Sequence, residues 1–251
     1  MANSYVRVGS GDHGVVALHG WFGSANGWGP FPDHLDGSRF SYAFMDLRGY
    51  GGSRDIAGNY TMEEVAADAI ALADELGWDT FSVIGHSMSG KAAQRVLVDA
   101  HDRVRRAVVV SAVPANGFPF DDEGWGLFSG AAQDRDNRYA IIDLTTGNRL
   151  TPTFVNSVAQ HSLDNSTVAA FGGYLEPWGR GDFSSEIKDI DTPIKVIVGE
   201  HDPALSAALM EQTVMQWFAN AELEVMPNAG HYSMLETPIA LATTVEEFLS
   251  R

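Results

Sequence analysis

Short runs of apolar residues alternate along the chain with segments in which apolar residues recur every three or four positions. The first pattern predicts buried strands and the second predicts helices, and their alternation is typical of an α/β fold with a mostly parallel sheet. Several strand segments are continuous Val, Ile and Ala runs, as expected where helices cover both faces of the sheet. The predicted strands are residues 5–8, 15–18, 40–45, 81–85, 104–110, 194–198 and 223–226.

Helix ends carry signals of their own, in residues that cap a first turn or stop a last one. The clearest is a capping box, a Thr followed three positions later by Glu, before a run of apolar residues at helical spacing. Four helices are predicted: from Thr61 and Glu64 to Gly77, directly after Ser87, over residues 206–218, and from Thr237 as N-cap with Pro238 in first position.

The alternation stops between Pro114 and about Asp182, in a segment rich in Gly, Asp, Asn and isolated aromatic residues. It contains no strong strand pattern, and residues 151–163 and 165–174 have the character of short helices. A segment this long between two core strands is better interpreted as a helical insertion than as a loop. We therefore expect a core of residues 1–114 and 183–251, interrupted by a helical insertion at 115–182.

Composition narrows the classes of function. The 251 residues include 33 acidic and 16 basic ones, giving a net charge of −17, so the chain lacks the basic face that nucleic acid requires. With no cysteine and no metal-ligand spacing such as HExxH, we expect no metal and no cofactor. Because no apolar stretch resembles a signal-peptide core or approaches the ~18 residues of a membrane span, we expect a soluble, cytoplasmic protein.

The segment FSVIGHSMSGKAAQRVL, residues 81–97, predicts a strand, a tight turn and a helix in succession. In a nucleophile elbow the central serine, here Ser87, has a strained backbone, so the residues two positions away must be small. Gly85 and Ser89 satisfy this demand, although Ser89 stands where the usual motif has glycine. A Gly-Ser-rich structural turn is the alternative, but the flanking strand and helix favour the elbow.

A serine nucleophile needs a base, and the base needs an orienting carboxylate. Asp202 follows the predicted strand 194–198, and His231 lies in a turn after the next strand. The chain order Ser87, Asp202, His231 differs from the orders of two of the three well-known serine triads and matches the third.

Other residues compete for these roles. His201 is the main alternative base, but neighbours on an extended segment point in opposite directions, so it does not share a face with Asp202. Asp46 also follows a strand, and its DLRGYGGS setting suggests that it shapes a loop together with Arg48. Glu200 is a further candidate for the carboxylate, but its position along the end of the predicted strand is offset from that of Asp202.

Five motifs, in the expected order and on the expected strand ends, carry a resemblance: HGWFGS (19–24), DLRGYGGS (46–53), GHSMSG (85–90), GEHD (199–202) and GHYSMLETP (230–238). With them the chain resembles serine hydrolases of the α/β-hydrolase fold. The resemblance implies a mostly parallel sheet flanked by helices, and a cap over the active site at residues 115–182. It also implies a triad of Ser87, His231 and Asp202, and an oxyanion hole formed by the backbone N–H groups of Trp21 and Met88.

The aromatic residues of the insertion predict a mainly apolar pocket wall with few fixed polar groups. Residues near the motifs can also contribute to it. The candidates for the pocket lining are Phe22, His86, Trp125, Phe128, Tyr174 and Trp178.

These features predict a cofactor-independent serine hydrolase that cleaves a small to medium, largely apolar carboxylic ester or lactone through an acyl-enzyme on Ser87. The negative charge repels anionic substrates at long range. A serine in the elbow argues against haloalkane dehalogenases and epoxide hydrolases, which have Asp there. The alternatives are a C–C bond hydrolase, a hydroxynitrile lyase, a cofactor-free haloperoxidase or perhydrolase, and, from another class, a slow-turnover ligand receptor or signalling protein.

Overall fold

Seven strands form a single sheet in the computed structural model, which describes residues 3–251. The sheet order is β1-β3-β2-β4-β5-β6-β7; β1 is antiparallel to β3, and all other neighbours are parallel. All seven predicted strands are confirmed. They are β1 (Tyr5–Val8), β2 (His13–Leu18), β3 (Phe40–Met45), β4 (Phe81–His86), β5 (Val104–Val110), β6 (Ile194–Gly199) and β7 (Ala221–Met226).

Central strands β3, β4 and β6 are buried along their whole length, which explains why their sequences are mostly apolar on both faces. Because the strands are parallel, the loops after their carboxyl ends meet at one edge of the sheet. That edge carries all the motifs of the predicted site: Trp21 follows β2, Ser87 follows β4, Asp202 follows β6 and His231 follows β7.

Ten α-helices flank the sheet or lie in the insertion, within the described range. They are α1 (Met62–Glu75), α2 (Met88–Ala100), α3 (Asp122–Gly130), α4 (Arg135–Thr145), α5 (Pro152–Asn165), α6 (Val168–Gly179), α7 (Ala207–Gln212), α8 (Val214–Trp217), α9 (Ser233–Glu236) and α10 (Pro238–Leu249). Between residues 3 and 251, no helix has both the length and the apolar character needed to cross a lipid bilayer.

The predicted start of α1 is confirmed, since the Thr61 side chain accepts a hydrogen bond from the N–H of Glu64. The reciprocal half of the capping box is displaced by one residue: the Glu64 carboxylate accepts from the N–H of Tyr60 at 2.9 Å. The helix ends before Gly77, which has a φ of +72°.

Two helix predictions are corrected. Residues 206–218 form two short helices, because Thr213 has a non-helical backbone and its hydroxyl donates to the carbonyl of Leu209 at 2.6 Å. Helix α10 does begin at Pro238, but the Thr237 hydroxyl lies against the carbonyl of Ser233 and makes no cap to α10.

The insertion between β5 and β6 contains helices α3, α4, α5 and α6. Sequence periodicity predicted the last two, with α6 extending further than expected, and missed the first two. Glycines interrupt α3, and polar residues dominate the first turn of α4. Their start signals are the N-cap aspartates Asp121 and Asp134, whose side chains accept backbone N–H bonds in the first turn.

Candidate active site

The turn between β4 and α2 has the backbone strain expected of a nucleophile elbow. Ser87 has a φ of 56° and a ψ of −119°, a conformation that non-glycine residues rarely adopt. Three backbone hydrogen bonds hold it in place: the Ser87 N–H donates to the carbonyl of Val110, and the Ser87 carbonyl accepts from the N–H groups of Gly90 and Val113. Two of these bonds anchor the strained turn to the end of β5 and to the segment that follows it.

The small residues on either side of Ser87 meet a steric requirement. A Cβ at Gly85 would collide with the carbonyl oxygen of Ser89, so the first position accepts only glycine. Ser89, the departure from the usual motif, is fully buried and its hydroxyl donates to the carbonyl of His19 at 2.6 Å. Its side chain thereby links the elbow helix to the loop after β2, a role that sequence reasoning missed.

Ser87, His231 and Asp202 are joined by two short hydrogen bonds. The Oγ of Ser87 lies 2.9 Å from Nε2 of His231, and Nδ1 of His231 lies 2.7 Å from Oδ2 of Asp202. The other carboxylate oxygen of Asp202 accepts from the N–H groups of Ala204 at 3.0 Å and Leu205 at 3.1 Å. The structure thus brings the three predicted residues together and fixes the carboxylate by backbone donors.

The carboxylate of Asp202 fixes which ring nitrogen of His231 faces Ser87. Burial alone raises the pKa of Asp202, but the charge of His231, its hydrogen bond and the two backbone N–H groups outweigh burial and hold that pKa below its usual value. An ionised Asp202 accepts a hydrogen bond from Nδ1–H, so Nε2 is the ring nitrogen that faces the Ser87 hydroxyl. This arrangement can remove the proton of a serine as it attacks.

Two side chains that hold the backbone of His231 were given no such role from the sequence. Nε2 of His86 donates to the His231 carbonyl at 2.9 Å, and burial lowers the pKa of His86 to about 3, which keeps its ring neutral. The carboxylate of Glu236 accepts from the N–H groups of Gly230 at 2.8 Å and Tyr232 at 3.0 Å, one residue on each side of the histidine. The sequence signal was present, since Glu236 lies within GHYSMLETP.

Two backbone N–H groups are candidate oxyanion donors. Met88 is the first residue of α2, and Trp21 follows the His-Gly pair after β2; neither N–H has an acceptor among residues 3–251. Trp21 is held at three points: Nε1 donates to the carbonyl of Phe171 at 2.7 Å, its ring stacks on that of Phe171 at 4.0 Å, and its carbonyl accepts from the hydroxyl of Tyr50. The loop is therefore fixed before any ligand binds.

The alternative acid and base lie elsewhere. The carboxylate of Asp46 accepts from the N–H groups of Ala25 at 2.7 Å and Gly52 at 2.9 Å, so it shapes the loops after β2 and β3. Arg48 does not pair with Asp46; it forms ion pairs with Asp68 and Glu64 of α1. The ring of His201 is exposed and lies 3.7 Å from the carboxylate of Glu200.

A cavity of about 40 Å³ borders Ser87 and His231, and we name it the catalytic cavity. Three of the six pocket candidates, Phe22, Phe128 and Trp178, line it. The other lining residues are Trp21, Val113, Phe118, Phe120, Ile141, Thr145, Ala204, Leu205 and Tyr232. Its wall is mainly apolar and aromatic, as the aromatic residues of the insertion predicted.

The structure places the other three pocket candidates elsewhere. His86 lines a separate cavity of about 260 Å³. Trp125 lines neither cavity, because its ring packs against Phe120 and under the guanidinium of Arg180. Tyr174 also lines neither, because it packs against two tyrosines beneath the insertion, Tyr50 and Tyr60. Within the described range, no group of three or more His, Asp or Glu side chains is placed to hold a metal ion.

Comparison with known proteins identifies the family. A family model described as the alpha/beta hydrolase fold matches residues 15–238, so the chain belongs to the alpha/beta hydrolase family. The chain is 27% identical to a non-heme haloperoxidase from Rhodococcus erythropolis over 235 residues, covering 86% of this chain and 85% of that protein. It is 26% identical to 3-oxoadipate enol-lactonase 2 from Acinetobacter baylyi over 213 residues, covering 82% and 77%. Esterases are also among its relatives.

The fold itself matches solved structures over nearly the whole chain. A hydrolase from Oleispira antarctica superposes with a TM-score of 0.87 at 19% sequence identity, covering 99% of this chain and 95% of that chain. At this level of identity the likeness shows the fold alone.

Proposed function

We propose that the protein is a serine hydrolase that cleaves a small to medium, largely apolar carboxylic ester or lactone through an acyl-enzyme on Ser87. The observation that carries the proposal is the hydrogen-bonded series from Ser87 through His231 to Asp202, set on a strained elbow beside two free backbone N–H groups. Membership of a hydrolase family with ester- and lactone-cleaving relatives supports the same chemistry.

In the first half-reaction, Oγ of Ser87 bonds to the carbonyl carbon while its proton passes to Nε2 of His231. The carbonyl oxygen becomes an oxyanion, which the N–H groups of Trp21 and Met88 stabilise, each donor contributing roughly 3 kcal/mol. The ionised Asp202 stabilises the imidazolium. When the tetrahedral intermediate collapses, the bond to the alcohol oxygen breaks and Nε2 returns the proton to that oxygen, leaving the acyl group on Ser87.

In the second half-reaction, a water molecule repeats these steps on the acyl-enzyme. Nε2 of His231 takes a proton from the water, the hydroxide bonds to the carbonyl carbon, and the acid leaves as Oγ of Ser87 regains the proton. No redox partner is needed, because each bond broken is balanced by one formed with water.

The pocket supports an uncharged substrate. Apolar and aromatic side chains make up most of the wall beside Ser87, and a fixed carboxylate or ammonium group would be desolvated there without a partner. The chain's net charge of −17 also repels anions before they reach the site.

The proposal is tested with Ser87→Ala and a chromogenic ester such as p-nitrophenyl acetate. The wild type is expected to release p-nitrophenol and to be labelled on Ser87 by a fluorophosphonate. Ser87→Ala is expected to lose both, with a fall in kcat of at least 10⁴-fold. Ser233→Ala is the matched control, because the Ser233 hydroxyl is buried and has no hydrogen-bond partner within residues 3–251. Turnover that survives in Ser87→Ala would show that Ser87 is not the nucleophile.

A further inference from the structure

A cavity of about 220 Å³ lies at the edge of the sheet opposite to Ser87, and we name it the arginine cavity. Its lining comes from the beginnings of three strands: His13 and Phe40 are the first residues of β2 and β3, and Arg105 is the second residue of β5. Ser87 follows the other end of β4, which lies between β2 and β5. Because a strand rises about 3.3 Å per residue, the six residues of β4 place the two sites roughly 20 Å apart.

The lining of this cavity is strongly basic. It includes Arg39, Arg105, Arg106 and Arg251 but no Asp or Glu, although the chain has 33 acidic residues and a net charge of −17. The charge of Arg251 is balanced by Glu222, whose carboxylate accepts two hydrogen bonds from Nη1, at 2.8 and 2.9 Å. A positive cavity in so acidic a chain is a local feature that overall composition does not reveal.

The other three arginines of the cavity have no polar partner. Among residues 3–251, the side chains of Arg39, Arg105 and Arg106 form neither an ion pair nor a hydrogen bond, and we call them the unpaired arginines. Every other arginine in this range has a carboxylate, carbonyl, hydroxyl or amide partner. The arginines that lack a partner in the fold therefore all line the same cavity.

An irregularity in the sheet supplies two of them. Between regular pairs of the β4–β5 register, Ser82 of β4 lies opposite two residues of β5, Arg105 and Arg106. In a regular strand, consecutive side chains point to opposite faces of the sheet. An extra residue of this kind is a β-bulge, which breaks the alternation and redirects a side chain, and bulges between parallel strands are rare. The bulge explains how two consecutive arginines line one cavity.

His13 shows that the three positive charges act on one place. Its ring lies in the cavity wall, and its Nε2 lies 2.8 Å from the hydroxyl of the buried Ser82. Burial, followed by the charges of the unpaired arginines, lowers the pKa of His13 from 6.5 to about 4. At neutral pH this histidine is uncharged, so the positive charge of the cavity belongs to its arginines.

The donors and the size of the cavity define the ligand class. A guanidinium has five N–H donors in a planar fork that matches the oxygens of a phosphate or a carboxylate. Three guanidiniums without partners offer more donors than the two oxygens of one carboxylate can use, and a phosphoryl group presents more oxygens. Since a cavity of ~150 Å³ is large enough for a benzene ring, this one has room for a small phosphate compound.

The acidic surface does not prevent such binding. At 0.1 M salt, charges separated by more than about 10 Å are largely screened from one another. The net charge of the chain therefore slows the approach of an anion, while the nearby guanidiniums determine how tightly it is held. Their mutual repulsion decreases when an anion lies between them.

We infer that the arginine cavity binds a small phosphate compound, inorganic or a monoester, whose phosphoryl group lies between Arg39, Arg105 and Arg106. The ligand reaches the protein at the edge of the sheet opposite to Ser87, so the inference does not depend on the proposed ester hydrolysis. Nothing in the proposed mechanism uses these arginines.

Calorimetric titration with pyrophosphate at low salt tests the binding. The wild type is expected to bind one pyrophosphate, and Arg105→Gln and Arg106→Gln are each expected to raise Kd about tenfold, the effect of one hydrogen bond to a charged group. Arg135→Gln makes the same change of charge at an exposed arginine that hydrogen-bonds Asn156, and is expected to leave Kd within about twofold. No saturable binding by the wild type, or an equal loss in Arg135→Gln, overturns the inference.

Other ligands test the chemical class in the same titration. Succinate, a dicarboxylate, is expected to bind about tenfold more weakly than pyrophosphate, because each carboxylate offers two oxygens. Succinate that binds as tightly as pyrophosphate overturns the assignment to phosphate compounds. Inorganic phosphate and glycerol 3-phosphate distinguish a free anion from a monoester: the one with the lower Kd identifies the source, and failure of both to bind overturns the inference.

A titration of His13 by NMR tests the position of the anion in the wild type, without any variant that could fail to fold. A phosphoryl group between the unpaired arginines adds negative charge beside His13 and opposes their effect, so it raises the pKa of this histidine. We expect His13 to titrate about one pH unit higher in pyrophosphate than in chloride of equal ionic strength, and the exposed His34 to titrate at the same pH in both. An unchanged pKa of His13 places any bound anion elsewhere and overturns the inference.

Discussion

The core and the insertion position their side chains by different means. In the core, the backbone holds the residues of the proposed triad: Ser87 is hydrogen-bonded to Val110 and Val113, and the Asp202 carboxylate accepts from two backbone N–H groups. In the insertion, packed side chains hold the pocket wall. Its most buried cation, Arg138, has no carboxylate partner among residues 3–251; its Nε donates to the carbonyl of Ala131, and its guanidinium lies 3.7 Å from the ring centre of Phe171.

The two regions meet at the aromatic rings and at one lysine. Phe171 lies between Arg138 and Trp21, so the packing of the insertion reaches Trp21 in the loop after β2. Lys91 of α2 is fully buried, and its ammonium donates to the carbonyls of Pro177 and Trp178 at 3.1 Å each and to that of Gly181.

This difference suggests that the core and the insertion affect different properties of the protein. Backbone hydrogen bonds fix atoms closely enough for proton transfer, which tolerates little displacement. Packed aromatic walls can change by substitution without moving the reacting groups, which is how one fold serves many substrates. We therefore expect core variants to affect the rate of the chemical step, and variants at the insertion to affect stability and substrate choice.

The largest expected effect tests the core. Asp202→Asn preserves shape but presents an amide to Nδ1 of His231, which favours the wrong tautomer of the imidazole. We expect kcat to fall about 10⁴-fold with the fold intact, measured by steady-state ester hydrolysis and circular dichroism. Glu200→Gln changes a nearby carboxylate that is 51% exposed and is expected to leave kcat within twofold. Equal rates for Asp202→Asn and the wild type would mean that another group orients His231.

The pH dependence of stability tests the neutral histidines beneath the site. Burial lowers the pKa of His86 to about 3 and of His19 to about 4, from 6.5. The unfolded chain therefore takes up protons at a higher pH than the fold does, so falling pH stabilises the unfolded state. Between pH 7.5 and 5.0 the free energy of unfolding is expected to decrease by roughly 2 kcal/mol for each histidine, measured by urea titration.

A variant assigns part of this pH effect to one histidine. His86→Gln cannot take up a proton and is expected to remove the roughly 2 kcal/mol that His86 contributes to this decrease, whereas His101→Gln, at an exposed position, is expected to keep all of it. A free energy of unfolding that is the same at both pH values would contradict the neutral, buried state of these rings.

A smaller effect tests the link between the two regions. Lys91→Met leaves the carbonyls at the end of α6 without their donor, and is expected to lower the free energy of unfolding by about 2 kcal/mol. Hydrogen exchange should become faster mainly in residues 168–182. Lys188→Met, at an exposed position, is the control. Faster exchange spread evenly over the sheet would show that Lys91 stabilises the core and does not link it to the insertion.

The smallest effect tests the elbow. Ser89→Ala keeps a small residue at this position and removes the hydrogen bond to the His19 carbonyl. We expect the free energy of unfolding to fall by about 1 kcal/mol and kcat to change less than threefold. A loss of activity as large as that of Asp202→Asn would show that this hydrogen bond positions the oxyanion loop.

Local sequence patterns predicted the strands because each buried strand must be apolar wherever it lies in the sheet. They were weaker for the insertion, where α3 contains glycines and α4 begins with polar residues. They also failed at Thr213, where a side-chain hydrogen bond interrupts an apolar helical pattern. Trp125 and Tyr174 were proposed for the pocket on residue type alone, and type does not specify which ring a side chain packs against.

By itself, the sequence determined the seven strands, the elbow and the choice of Ser87, Asp202 and His231 as candidates, because these depend on local periodicity and short motifs. The tertiary structure decided which side chains meet: the positions of Glu236 and His86 around the base, the link from Ser89 to the oxyanion loop, and the convergence of the unpaired arginines on one cavity. Those contacts join residues up to 145 positions apart. Only packing in three dimensions fixes them, since no local pattern encodes the partner of a buried side chain.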